Sequence, residues 1–90
     1  MKITFDPAKN ARNILERDLP FDLVADFDWD TAIARKDRRH EYGERRMQVL
    51  ELIGLRLHVA VVTYRGDGVH VISLRKANRK EVRWYDDERR

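Results

Sequence analysis

Cysteine is absent from this 90-residue chain, which excludes disulfides and thiolate metal sites. Histidine is scarce. His40, His58 and His70 lie 18 and 12 residues apart, far from the i, i+3 or i, i+4 spacing that builds a metal site on one helix. No metal or cofactor is therefore expected. Long apolar runs are missing too, and none approaches the roughly 20 residues of a membrane span. The opening stretch, Met1 to Pro7, has neither a long apolar core nor a small-residue cleavage site, so it does not read as a signal peptide. Internal repeats, low-complexity segments and linkers are also lacking. The expectation is one cytoplasmic domain over residues 1–90, with no membrane partner. A chain this short buries a modest share of its surface, so a partner or a second copy would add stability.

Charge is plentiful and unevenly placed. Lys and Arg number 19 against 16 Asp and Glu, a net of +3. Residues 1–34 are net acidic, with four cations and seven anions. Residues 35–46 carry six cations and three anions, and residues 75–90 carry seven and four. Two basic blocks thus flank a neutral, apolar middle. Such patches concentrate polyanions. A solvated surface is the plain alternative, since 39% charged residues also keep a small protein soluble.

The pattern predicts β-α-α-β-β-β-β-α. Ile3-Thr4-Phe5 is a short edge strand. Asp6-Pro7 is an N-cap followed by proline at the first helical position. Ala8, Ala11, Ile14, Leu15 and Leu19 fall on one face of that helix, and Pro20 ends it. Phe21, Leu23, Val24 and Phe27 mark a second short helix. Weak strand character runs from Thr31 to Lys36, and stronger signals from Met47 to Ile53, Leu55 to Tyr64 and Val69 to Leu74. Gly66-Asp67-Gly68 is a tight-turn signal. Asn78 to Glu81 reads as a capping box, with Val82 and Tyr85 facing the core. The predicted class is α+β, a mostly antiparallel sheet with helices on one face. A two-residue hairpin turn would place His58, Tyr64, Ser73 and Arg75 on the less apolar face.

Metal-free RNA cleavage uses the neighbouring 2′-hydroxyl as nucleophile. It needs a base, an acid and cations around the phosphorane. Arg fits the cation role because its planar fork meets phosphate oxygens; His, Glu, Lys and Tyr fit the proton-transfer roles. Arg75 and Lys76 end an apolar strand just before a helix N-terminus, a place that favours anions. Arg75 is expected to be unburied, so that Arg75→Ala removes a phosphate contact and leaves the fold intact. Lys76 and Arg79 also read as ordinary helix-entry residues. Arg65 at the turn and Glu44 beside Arg46 also read as a solubilising residue and a cross-strand ion pair. His40, among Asp37, Arg38, Arg39, Glu41 and Glu44, can titrate near neutral pH, or be an exposed loop histidine. Tyr64 and Tyr85 also read as core or rim aromatics. Trp29 and Trp84 could stack on bases or fill the core.

Several motifs occur in a telling order. They are Phe5-Asp6-Pro7-Ala8-Lys9 with Asn13; Phe21-Asp22; Asp37, His40, Gly43, Glu44 and Arg46; Val62-Thr63-Tyr64-Arg65; Ile72-Ser73 with Arg75 and Ala77; and Glu81 with Tyr85. Together they resemble the BrnT family of type II toxins, small RelE-like ribonucleases paired with a DNA-binding antitoxin. The chain departs from that pattern at Thr4-Phe5, at Glu16-Arg17-Asp18 and at Leu74. The resemblance implies an endoribonuclease toxin that inhibits translation. It implies a catalytic set drawn from Arg75, His40, Glu44, Arg65 and Tyr64, and RNA contacts from Lys76, Arg79, Lys80, Arg38, Arg39 and Arg46. It also implies neutralisation by a BrnA-like antitoxin of ribbon-helix-helix type, which would bring operator DNA into the complex. Oligomeric state is left open, with a homodimer in the complex as one option. Two other readings stand beside it: a binding module for RNA or DNA that cuts nothing, and a structural subunit of an autoregulatory repressor complex.

Overall fold

The computed structural model describes residues 1–39 and 43–90. Among the described residues, five strands form one sheet: β1 (Lys2–Phe5), β2 (Ile33–Lys36), β3 (Met47–Ile53), β4 (Arg56–Arg65) and β5 (Gly68–Lys76). Their order across it is β1-β5-β4-β3-β2. Helix α1 (Pro7–Arg17) and a 3₁₀ helix (Phe21–Asp26) separate β1 from β2, and helix α2 (Arg79–Glu88) follows β5.

The sheet is mixed, which corrects the expected mostly antiparallel arrangement. β1 runs parallel to β5, from Lys2 opposite Gly68 to Phe5 opposite Val71. The other pairings are antiparallel. The cause is connectivity. Tight turns join β3 to β4 and β4 to β5 and force them antiparallel, whereas β1 reaches the rest of the sheet through helices and is free to pair parallel.

Both faces of the sheet are covered. Adjacent strand residues point to opposite sides, and Val59 and Ala60 enter different cores. Ala60, Val62, Val49, Val69, Val71 and Leu74 pack against Leu19, Phe21, Val24 and Phe27. The Phe5 ring meets Phe21 edge-on, with centroids 5.7 Å apart. On the other side, Leu50, Leu57, Val59 and Ala77 pack with Tyr85, Ile33 and Trp84. The C-terminal helix therefore lies across the sheet from the 3₁₀ helix, and the helices do not share one face.

Helix α1 starts as expected. Asp6 accepts a hydrogen bond from the Ala8 N–H at 2.9 Å, and Pro7 holds the first turn. Its buried face is not the apolar one. Leu15 is 87% exposed and Ile14 39%, while Asn13 is buried. The Asn13 Nδ2 donates to the carbonyls of Leu19 at 2.8 Å and Leu74 at 2.9 Å. Asn10 Oδ1 accepts from the Phe21 N–H at 2.8 Å. The helix docks over backbone groups that need partners, and asparagine supplies them where leucine would not.

The hairpin explains a second difference. Arg65 pairs with Gly68 across the turn residues Gly66, with φ +57°, and Asp67. Near the turn the register is the expected one. Between Val61 and Val62 it slips: Val62 pairs with Val71, but Val61 pairs with Ser73. Ile72 is the extra residue of a β-bulge, which reverses the alternation beyond it. His70, Ser73 and Arg75 consequently share the α2 side. His58 and Tyr64 lie on the Ala60 side, so the expected grouping of four is split.

Candidate nucleic-acid interface

The α2 side of the sheet carries polar groups in rows. Thr4, His70 and Thr63 are neighbours at paired positions on β1, β5 and β4. The next row is Ser73, Val61, Gln48 and Arg35; the one after is Arg75, Val59, Leu50 and Ile33. Rigid strands fix these backbones, so the side chains start from set positions.

Glu81 organises the arginines. Asn78 and Glu81 form the predicted capping box: Asn78 Oδ1 accepts from the Glu81 N–H, and Glu81 Oε1 accepts from the Asn78 N–H, each at 2.9 Å. The same carboxylate accepts from Arg75 Nη1 and Nη2, both at 2.8 Å. Arg35 Nη2 lies 3.5 Å from Glu81 Oε2. The Arg35 Nε donates to Gln48 Oε1 at 2.8 Å, and its guanidinium sits 4.7 Å over the Trp84 ring. Two cations from strands at opposite sides of the sheet thus converge on one carboxylate. The Arg75 hydrogen bonds hold the Glu81 carboxyl below its ordinary range, against burial, with the Asn78 N–H and the charges of Arg75 and Arg35 adding to the effect.

This corrects the reading of Arg75. Its side chain is 26% exposed, but its guanidinium is engaged two-point with a nearly buried carboxylate and also donates weakly to the Lys76 carbonyl at 3.4 Å. Removing it would disturb the fold, not only a phosphate contact. A guanidinium carries five N–H donors, so Arg75 and Arg35 each retain donors beyond these bonds.

A second cluster surrounds the segment leading into β3. Asp37 is buried, its N–H bonds the Arg46 carbonyl at 2.9 Å, and its carboxylate accepts from Arg39 Nε at 2.9 Å and Nη2 at 3.0 Å. Those Arg39 bonds hold its carboxyl below the ordinary range, against burial. Glu44 lies 3.8 Å from Arg46 Nε and 3.7 Å from Arg65 Nη2. Asp37, Arg39, Glu44, Arg46 and Arg65 are therefore linked as a network. His40 lies outside the described residues.

Other expected residues are elsewhere. Tyr64 is 54% exposed and on the side away from Arg75. Lys76 is exposed and alternates away from Arg75. Arg38 and Lys80 are exposed. Arg79 lines a groove of about 380 Å³ beside α2 with Arg56, Arg83, Arg90 and Val82, and with the carboxylates Asp86 and Asp87. Val82, expected in the core, is 36% exposed.

Sequence reasoning passed over Arg35, Gln48 and His70. The His70 Nδ1 is 2.9 Å from Thr4 Oγ1. The ring borders a pocket of about 430 Å³ lined also by Lys2, Thr4, Arg65, Asp67 and Val69. Burial is the largest influence holding its pKa below the ordinary histidine value. Arg65 and Lys9 lower it further, and Glu44 and Asp6 oppose them. Beside it, the buried Thr63 Oγ1 has no hydrogen-bond partner among the described residues. His58 is buried with Nδ1 2.8 Å from the Arg56 carbonyl, and desolvation lowers its pKa; its role is structural. Among the described residues, no group of three or more His, Asp or Glu is placed to hold a metal ion. No helix among them is long and apolar enough to cross a membrane.

Comparison with known proteins decides the family. The sequence pattern described as "Ribonuclease toxin, BrnT, of type II toxin-antitoxin system" matches residues 5–81. This chain belongs to the BrnT family. The crystal structure of the Brucella abortus ribonuclease toxin BrnT is similar in fold, with a TM-score of 0.68 and 24% identity, covering 88% of this chain and 99% of that one. A search of curated proteins found no match. BrnT membership makes this chain a ribonuclease toxin of a type II toxin-antitoxin system, with RNA as substrate and an antitoxin as partner. The matched BrnT region contains Arg35, Arg75 and Glu81 and stops before Trp84 and Tyr85.

Proposed function

We propose that this toxin is a metal-independent endoribonuclease whose phosphodiester lies across the α2 side of the sheet. The observation that carries the reading is the convergence of Arg35 and Arg75 on Glu81. A carboxylate that grips guanidiniums fixes their orientation before substrate arrives. Preorganised donors hold the RNA backbone without having to reorganise when it arrives. Arg65, Arg46 and Arg39 would extend the cation field. Glu44 and His40 remain candidates for proton transfer, and Tyr64 is left out because it faces the other way. In the reaction, the 2′-oxygen bonds to phosphorus and the bond to the 5′-oxygen breaks. The products are a 2′,3′-cyclic phosphate and a 5′-hydroxyl.

The antitoxin is proposed to be BrnA-like, with a ribbon-helix-helix domain that carries operator DNA. An acidic segment of it would cover the α2 surface, where Arg56, Arg79 and Arg83 rim the apolar Val82. The toxin would act in the cytoplasm as a single RelE-like domain, and a homodimer would form in the complex. One observation favours a second reading, a non-catalytic binding or structural subunit: Glu81 neutralises much of the charge that Arg75 would offer a phosphate.

Expression without antitoxin separates the two. Growth arrest, and RNA cleavage by purified protein in EDTA, are expected. Normal growth with soluble protein present would favour the structural subunit. Cleavage that is lost in EDTA and restored only by Mg²⁺ would remove the metal-free mechanism.

A further inference from the structure

We infer that His70, oriented by Thr4, takes the 2′-hydroxyl proton from an RNA strand seated in the Lys2–Arg65 pocket; this rests on the ribonuclease reading above. Three observations lead there. His70 is the described histidine on the same side of the sheet as Arg75, because the bulge at Ile72 brings both to that side. Its ring borders an open pocket whose other polar walls are Lys2, Thr4, Arg65 and Asp67, two cations against one anion. Lys2 and Arg65 would meet the scissile phosphate there, while Arg75, two rows further along the same side, and Arg35, on β2, would meet other phosphates of the same strand. Next to His70 stands the buried Thr63 hydroxyl, without a partner among the described residues.

Thr4 supplies the orientation. With Nδ1–H donating to Thr4 Oγ1 across 2.9 Å, the lone pair of the neutral ring is on Nε2. The Thr4 hydroxyl can also donate to a bare Nδ1; the Nδ1–H tautomer is the one in which His70 serves as base. As the 2′-oxygen attacks phosphorus, Nε2 accepts its proton and the bond to the 5′-oxygen breaks. The departing oxygen takes a proton from water, and the imidazolium returns its proton to the hydroxide left behind. Neither oxidant nor metal enters the step.

The groups around the ring are Lys2 on β1, Asp6 and Lys9 at the start of α1, Glu44 before β3, Arg65 on β4 and Asp67 in the turn. With the ring's pKa held low, the base is neutral at pH 7, and activity should fall only as pH drops through a value below that of ordinary histidine.

The experiment compares wild type, His70→Gln and Thr4→Val in single-turnover cleavage of a labelled RNA from acid to neutral pH. Binding is read with the same strand carrying a 2′-deoxy residue at the cut site, and ring ¹⁵N NMR reports the tautomer and titration of His70. Expected are a loss on the order of 10²-fold in rate for His70→Gln, unchanged affinity for the deoxy strand, and a wild-type acid limb that follows the His70 titration. Thr4→Val should lower the rate and shift the tautomer balance. His70→Gln cutting at the wild-type rate, or keeping the acid limb, would overturn the inference and leave the ribonuclease reading standing. A wild type that cuts no RNA would overturn both. If His70→Gln does not fold, an acid limb that departs from the His70 titration in wild type overturns the inference alone.

Discussion

Arg75 and Glu81 face each other as a two-point ion pair, Nη1 to Oε1 and Nη2 to Oε2, each at 2.8 Å. The pair ties the end of β5 to the first turn of α2, and its carboxylate also caps that helix. One side chain thus joins a strand, a helix start and, through Arg35, the far edge of the sheet. Arg75→Ala would leave Glu81 nearly buried without its main partner. A loss of about 2 kcal/mol is expected, below the 3–5 kcal/mol of a fully buried pair because Arg75 keeps some exposure. Urea unfolding at pH 7 measures it. An unchanged midpoint would show the pair to be worth nothing to the fold.

Glu81 and Asp37 set the acid limit of stability. Both carboxyls titrate lower in the folded protein than in the unfolded chain. Their contribution is therefore complete above the ordinary carboxylate range and is lost as pH falls through their lowered folded values. Wild type should lose stability steadily as pH falls below about 4. Glu81→Gln should be less stable at pH 7 and show a shallower slope in acid. Denaturant midpoints across that range check both points, and parallel curves for the two proteins would contradict them.

Tyr85 predicts the opposite limit. Burial first, then its hydrogen bond to Glu51, pushes its phenol pKa up to about 12 from 10.0. A raised folded pKa stabilises the protein below pH 10, and that contribution disappears as pH rises toward 12. Wild type should unfold in strong alkali as Tyr85 ionises, seen by tyrosinate absorbance together with loss of circular dichroism. Tyr85→Phe should blunt this alkaline transition and should be less stable at pH 7, because the buried Glu51 loses a donor. Tyr85 ionising at an ordinary phenol pH in the folded protein would contradict the burial seen here.

Helix α1 gives a contrast between neighbours. Asn13→Ala strips donors from two carbonyls, Leu19 and Leu74, and should cost about 2 kcal/mol. Leu15→Ala should change stability by less than about 0.5 kcal/mol, since Leu15 is 87% exposed. Thermal unfolding of the two variants side by side tests this, and a larger loss for Leu15 would mean that its surface is covered in solution.

The same helix shows what was legible in the sequence. Asp6-Pro7, Gly66-Asp67 and the Asn78–Glu81 box are local signals, and each formed where its chemistry placed it. The apolar spacing of Ile14 and Leu15 misled because docking there satisfies backbone carbonyls, a need that exists only once β5 lies alongside. The parallel pairing of β1 is set by connectivity, not by its own residues. Ile72 looks like any other strand residue, yet as the bulge it decides that His70 joins Arg75 and that Tyr64 does not. Arg35 sits on the weakest strand signal, and only the folded sheet carries it to Glu81.

Cleavage of a labelled single-stranded RNA by antitoxin-free protein in EDTA, wild type against Arg35→Ala, tests the arginine site most sharply. Arg35 is more exposed than Arg75, and Glu81 keeps its Arg75 partner without it, so the fold should survive the change. The expected result is cutting by wild type and a rate lower on the order of 10²-fold for Arg35→Ala, with similar unfolding midpoints. Equal rates for the two proteins, or no cutting by wild type, would contradict an active site built on Arg35, Arg75 and Glu81.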